Sequence, residues 1–187
     1  MSVRWTLKRS TAEQHHLLDG LVSRLGCFDD LDGYGRWLAA MHGFYDGIEQ
    51  ALAGHDATAI VGPARMRQRL EALAADLADI GVRDRGAPPH ATLRITDGSE
   101  MLGVLYVTEG ASLGARLLVA RAEALGCDEQ RGARFLAAEA RSTASWSGVM
   151  AALQAADADP GQLERMITAS RRTFDLAAAC MGQRHAA

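Results

Sequence analysis

The sequence predicts an all-α protein, and three observations carry that reading. Alanine and leucine dominate the apolar residues, aromatics make up only 5%, and β-branched residues rarely cluster. Apolar side chains recur at steps of three and four over long stretches, the period of an amphipathic helix. Glycines and the four prolines fall mainly between those stretches, where chain direction changes. With 48% hydrophobic and 23% charged residues, the chain can build an ordinary globular core. No linker, internal repeat or low-complexity tract divides it, so residues 1–187 are expected to form a single domain.

The elements follow in order. A first helix is expected over residues 3–25, with Leu7, Thr11, Leu18, Leu21, Val22 and Leu25 on one stripe and Gly26 as its stop. A second starts near Asp32 and carries Tyr34, Trp37, Leu38, Met41, Tyr45, Ile48 and Leu52, with Gly54 after it. Gly62-Pro63 opens a third, because proline suits a first helical turn. Its buried face is Met66, Leu70, Leu73, Leu77 and Ile80, and Gly81 ends it. Residues 82–96, with Gly86 and Pro88-Pro89, read as a loop. Asp97 followed by Glu100 resembles a capping box. A long helix then runs to about Leu125, with Gly126 as its stop. Shorter helices are expected around 131–140 and 146–153, and a last one begins at Asp159-Pro160.

Charge and cysteines narrow the function. Twenty basic and 23 acidic side chains leave a net charge of -3, which offers no basic face for nucleic acid. The cysteines, Cys27, Cys127 and Cys180, are widely spaced and form no metal-binding pattern. A sparse, odd set suits a reducing compartment. The N-terminus lacks an apolar signal core, and no uncharged apolar run reaches the roughly 18–20 residues that span a bilayer. The expectation is a soluble, cytoplasmic protein with no membrane partner.

Three constellations stand out. On the first helix, at about 100° per residue, His15 lies within roughly 60° of Thr11, Leu18 and Val22, whereas His16 lies roughly 120–160° away. His15 should therefore point inward and His16 outward. Asp19 follows His15 by one turn and is placed to orient the imidazole. Lys8, the only lysine, precedes it by two turns. A neutral imidazole with a cation about 10 Å along the helix suits an iron-bearing ligand with an anionic tail. From this helix alone, a satisfied core histidine beside a surface lysine is the better reading.

The second constellation is Gly103, Gly110 and Gly114, spaced seven and four apart on one face of the long helix. Each interior glycine costs roughly 1 kcal/mol relative to alanine, so close backbone approach by a neighbour is expected in return. That neighbour is a helix or a flat ligand, and the spacing alone favours the helix. The glycines also permit a bend. The third is Arg171, beside the apolar stripe of the last helix and able to snorkel toward an anion, although alone it reads as a solvated arginine. Glu109 and Arg116 share the glycine helix and are placed to touch whatever docks there. Trp146 reads as core, and His55, His90 and His185 as loop or tail. No Ser-His-Asp elbow, HExxH, P-loop or GxGxxG is present.

Together the pieces resemble the heme oxygenase family. Leu7-Lys8-Arg9-Ser10-Thr11-Ala12-Glu13-Gln14-His15 is similar to its L-K/R-x-x-T-x-x-x-H opening. The segment Gly103-Val104-Leu105-Tyr106-Val107-Thr108-Glu109-Gly110-Ala111-Ser112-Leu113-Gly114-Ala115 resembles the distal-helix motif of the bacterial branch associated with bacteriophytochromes. Phe135-Leu136, Trp146 and Thr173-Phe174 extend the resemblance over nearly the whole chain. It departs from the family at Ala111, where the mammalian type carries an aspartate, at Ala115 in place of a third glycine, and at Val149 in place of a common phenylalanine.

The resemblance implies a heme oxygenase-like multi-helix bundle with a kinked, glycine-containing distal helix. It implies His15 as axial ligand of heme iron, Gly110 and Gly114 as the distal wall, and Lys8, Thr11 and Arg171 as substrate-binding residues. Asp19 and Glu109 would support them from behind. Heme b would be both substrate and cofactor, O2 the oxidant, and a reductase or ferredoxin the electron source. The products would be biliverdin, CO and iron, with a bacteriophytochrome as bilin acceptor. A heme carrier or sensor without turnover would need the same His15 and glycines. A helical scaffold for a protein partner would take up no heme.

Overall fold

The computed structural model describes residues 2–83, 93–156 and 159–185, with side chains up to residue 182. The described residues form ten α-helices and one 3-10 segment, with a single isolated bridge, Asp128–Gly132, in place of any sheet. The helices are α1 (Val3–Ser10), α2 (Ala12–Arg24), α3 (Leu31–Leu52), α4 (Thr58–Val61) and α5 (Arg65–Asp79). Then come α6 (Gly98–Gly110), the 3-10 segment (Ala111–Gly114), α7 (Ala115–Ala124), α8 (Arg134–Arg141), α9 (Ala144–Ala155) and α10 (Pro160–His185). The all-α expectation holds. Gly26, Gly54, Gly81 and Gly126 take positive φ at helix ends, as their reading as stops requires. Of the expected loop over 82–96, residues 84–92, with Pro88-Pro89 and His90, lie outside the described residues, and 82–83 and 93–96 are non-helical.

Two expected helices are divided. The opening helix breaks at Thr11, whose backbone leaves the helical region at φ -115°, ψ 3°. The Thr11 hydroxyl donates to the Leu7 carbonyl at 2.8 Å, a back-bond that competes with the helical ladder. The long distal helix breaks at Gly110, where α6 passes through the 3-10 segment into α7. Elsewhere α4 was not anticipated, and α5 starts at Arg65, so Gly62-Pro63 forms the connection before it. His185 closes α10 and is not in a free tail.

Helix α10 is the shared wall of the bundle, packing against α6, α3, α2 and α1. Asp97 caps α6, accepting from the Glu100 amide at 2.9 Å, and is bridged by Arg165 of α10 at 2.7 Å. The Glu100 carboxylate reaches the amide and hydroxyl of Thr96, one residue earlier than a capping box requires. On the far side of the core, Tyr34, Trp37 and Tyr45 of α3 meet Phe28 and Phe135 in a tilted aromatic cluster. Buried Asp76 of α5 accepts the backbone amides of Arg134 and Phe135, both at 2.9 Å, and so caps α8.

The three glycines of the distal stretch part company. A Cβ on Gly103 would strike the Met166 carbonyl of α10, so this glycine exists for helix–helix contact. There Ser170 Oγ reaches both the Gly103 carbonyl (2.9 Å) and the Met166 carbonyl (2.8 Å). A Cβ on Gly110 would meet Trp146 at 3.4 Å, and one on Gly114 would meet nothing within 4 Å. Gly103 and Gly110 share one face of α6 but meet different helices along its length, and Gly114 leaves the stripe for a geometric reason. Four residues of α-helix advance about 40° beyond a full turn, whereas four of 3-10 helix advance about 120° beyond.

This division predicts opposite stabilities. Gly103→Val forces α6 from α10 and should cost about 1–3 kcal/mol, the range for overpacking a tight core. Gly114→Ala, at a helical φ of -85° with open space, should be neutral or gain a few tenths of a kcal/mol up to about 1. Urea denaturation of the two variants reads the difference, and equal losses would contradict it.

Candidate functional site

His15 is carried by α2, which has no fully buried residue. Its side chain is 65% exposed, so the expected inward orientation is not what the fold adopts. His15 shares the uninterrupted α2 with Leu18, Leu21 and Val22, but that face is only partly covered, so all three are only partly buried. His16 is exposed too, so burial does not separate the two histidines; their neighbours do. His15 Nδ1 lies 3.0 Å from Asp19 Oδ2, the orienting contact expected from the one-turn spacing. The ring meets buried Phe174 of α10 edge-on, with centroids 5.9 Å apart. A carboxylate on Nδ1 favours the tautomer with the proton there and directs the Nε2 lone pair away, the arrangement of a metal-ligating imidazole.

The basic residues gather where α1 ends. Arg171 Nε donates to the Ser10 carbonyl at 3.0 Å and so docks α10 onto the last residue of α1. Lys8, in that same last turn, holds its Nζ 5.6 Å over the exposed Trp5 ring. Both side chains lie at the surface, where an anion could reach them. Thr11 is different. It is buried, and its hydroxyl is bonded to the Leu7 carbonyl.

On the distal side, Tyr106 stacks at a tilt on half-buried Trp146, with centroids 5.8 Å apart, and Trp146 faces Gly110. Trp146 is therefore a wall of the distal turn rather than part of the deep core. Beyond it the surface opens: Gly114 is unobstructed, and Leu113 and Leu117 are 61% and 77% exposed. An accessible imidazole backed by Phe174 and an exposed apolar distal surface are the features a heme needs, one to hold iron and one to cover a porphyrin face. Lys8 and Arg171 provide the charge for its carboxylates. The residues fit the group.

Glu109 does not face that surface. It is fully buried and gripped by Arg69 of α5, with Nη1 at 2.6 Å and Nη2 at 3.1 Å, and by Arg65 Nε at 3.1 Å. Glu139 of α8 completes the cluster: Arg69 Nε and Nη2 lie 3.1 and 2.8 Å from it, and Arg65 Nη2 lies 2.8 Å away. The Arg69 guanidinium also lies 4.7 Å from the centre of the Tyr45 ring. Burial raises the Glu109 carboxyl, but Arg69, Arg65 and Ser145 outweigh it and hold it below the usual range. Arg116 likewise turns from the distal surface, toward the Ala140 carbonyl.

Sequence reasoning passed over Arg65, Arg69 and Glu139. A signal was present, because Arg69 stands three after Met66 and four before Leu73, inside the apolar stripe of α5.

The stretch from residue 98 to 124 is the one long and apolar enough to cross a membrane among the described residues, by length and composition only. It is bent at Gly110 and carries buried, ion-paired Glu109.

Comparison with known proteins shows the family. Residues 1–182 match the family described as Heme oxygenase. The chain is 35% identical over 147 residues to heme oxygenase PigA of Pseudomonas aeruginosa, covering 76% of this chain and 73% of that one. Its fold is similar to the NO- and CO-bound heme oxygenase of Neisseria meningitidis, with a TM-score of 0.82 and 22% identity over 100% of this chain and 93% of the other. The heme oxygenase of Leptospira interrogans is also similar, with a TM-score of 0.71 and 18% identity over 98% and 100%. With the family match spanning residues 1–182 and a relative 35% identical over three quarters of the chain, this chain belongs to the heme oxygenase family and is an enzyme of heme degradation.

Proposed function

We propose that the chain opens heme to biliverdin, with release of CO and iron. It would use O2 and electrons from a separate reductase or ferredoxin. The observation that carries this reading is the oriented but accessible His15, held between Asp19 and Phe174. Bound heme supplies the redox chemistry at iron, and the chain supplies position. His15 Nε2 would hold the heme iron, with the Asp19 carboxylate fixing the ring. A neutral imidazole would donate less electron density to that iron than a thiolate.

Gly114 keeps the distal surface clear where a side chain would fill the space above the ring. Gly110 lets the turn close against Trp146. Lys8 and the terminal nitrogens of Arg171 receive the propionates and set the in-plane rotation of the substrate, hence which meso carbon is cut. Thr11 acts indirectly, through its hydroxyl bond to the Leu7 carbonyl at the break between α1 and α2. A cytoplasmic location and a bacteriophytochrome as bilin acceptor are supported by the resemblance to that bacterial branch.

Heme titration followed by addition of a reductant tests the reading. Growth of a Soret band and its decay to a bilin are expected. A stable band would indicate a carrier, and no band would indicate a scaffold.

Three sets of variants test the residues. His15→Ala should abolish the nitrogen-ligated heme spectrum while His16→Ala preserves it; equal effects would move the ligand elsewhere. Gly114→Leu should weaken heme uptake at unchanged thermal stability, since its side chain meets no protein atom. A loss of stability before heme binding would assign Gly114 to packing instead. Lys8→Ala should keep ring opening but alter the ratio of biliverdin isomers on chromatography. An unchanged ratio together with unchanged heme affinity would leave the propionates to Arg171.

A further inference from the structure

The break in the distal helix coincides with carbonyls bonded from the side. Arg69 Nη2 donates to the Thr108 carbonyl at 3.2 Å, and Ser112 Oγ donates to the Glu109 carbonyl at 2.6 Å. Both carbonyls lie in the last turn of α6, just before the chain tightens from α to 3-10 geometry, a change that shifts the amide partner from four residues on to three. Side-chain donors there hold buried carbonyls through the change of ladder. The same Arg69 fork holds the Glu109 carboxylate in two contacts and, through Glu139, is fixed to α8.

We propose that Arg69 is a positioning residue, which through Glu109 and the Thr108 carbonyl sets the place and stiffness of the Ala111–Gly114 segment above the heme site. Arg65 and Glu139 complete the charge balance, two cations to two anions, so the fork can be buried without a net charge. No solvent-exposed interaction duplicates this restraint on the described part of the segment: Leu113 and Gly114 face open space. The geometry explains why a kink that glycines merely permit is held at one position. It rests on the heme oxygenase reading only for its effect on chemistry, not for its effect on the backbone.

The test uses the full chain without heme first. Arg69→Lys keeps one positive charge but cannot hold both oxygens of Glu109 together with the Thr108 carbonyl. Arg69→Met with Glu139→Gln keeps the cluster neutral. Leu73→Ala, a core change on the same helix, serves as the reference for general destabilisation. Amide hydrogen exchange should quicken at residues 111–114 at least tenfold more than in α10 for both Arg69 variants. For Leu73→Ala the two regions should change together. With heme bound, the Arg69 variants should shift the ratio of bilin isomers severalfold, and Leu73→Ala should not.

Uniform exchange in the Arg69→Lys variant, or distal exchange matching Leu73→Ala, would overturn the proposal. If the double variant does not fold, Arg69→Lys alone decides. Local quickening without any heme uptake would support the positioning role while contradicting the heme reading. Local quickening with an unchanged isomer ratio would overturn the link from segment to chemistry.

Discussion

The contact of α6 with α10 at Gly103 is the constraint on which the rest of the structure depends. A glycine there lets the backbone of α6 lie against the Met166 carbonyl, and Ser170 bonds to a carbonyl of each helix. Helix α10 thereby becomes a common reference for both sides of the site. It places Phe174 against His15, carries Arg171 to the end of α1, and fixes the start of α6 through Arg165 and Asp97. Because both sides share this wall, the separation between imidazole and distal segment is set by packed backbone rather than by loops. Packed interiors resist small displacements, so such a reference is stiff.

Against that wall the two sides differ in what secures them. The distal turn is joined to α5 and α8 by the Arg65–Arg69–Glu109–Glu139 cluster, whose four charges are each paired at 3.1 Å or less. Clusters of this kind seldom add much stability, since desolvation offsets attraction, and apolar replacements are often tolerated. What a fork of directed hydrogen bonds adds is geometry: Arg69 must meet two carboxylates and a carbonyl at once. The Tyr45 ring beneath it, with a phenol raised mainly by burial, closes the cluster from solvent.

Much of this was legible in the sequence. Helix stops, the cap at Asp97 and the stripes of α3 and α5 follow from local rules that the bundle does not override. The Asp19–His15 contact follows from a one-turn spacing. What spacing could not supply was the state of the helix itself. The reading that set Gly114 on one stripe with Gly110 assumed unbroken α geometry, and the 3-10 segment breaks it. His15 keeps its register with Leu18 and Val22, but spacing does not say how far that face of α2 is covered. Nor does it give the partners of Glu109, which lie 40 and 44 residues earlier, on α5. Long-range ion pairs leave only an oblique mark in sequence, here an arginine inside an apolar stripe.

The asymmetry has a thermodynamic consequence. Helix α2 carries no fully buried residue and meets the core through partly buried Leu18, Leu21 and Val22, whereas the distal turn is anchored by buried charges. Elements with few buried apolar contacts open at lower free energy than the core does. A ligand gripping His15 while covering Leu113 and Leu117 would add to α2 the apolar contact it lacks. By mass action its binding free energy would then appear as stability of the folded chain, concentrated at α2. The distal turn is thus the more restrained side, and α2 the more adaptable one. That order follows from which residues are buried on each side, since a rigid distal segment paired with an adaptable proximal helix can accept a flat ligand without disturbing the turn that orients the chemistry.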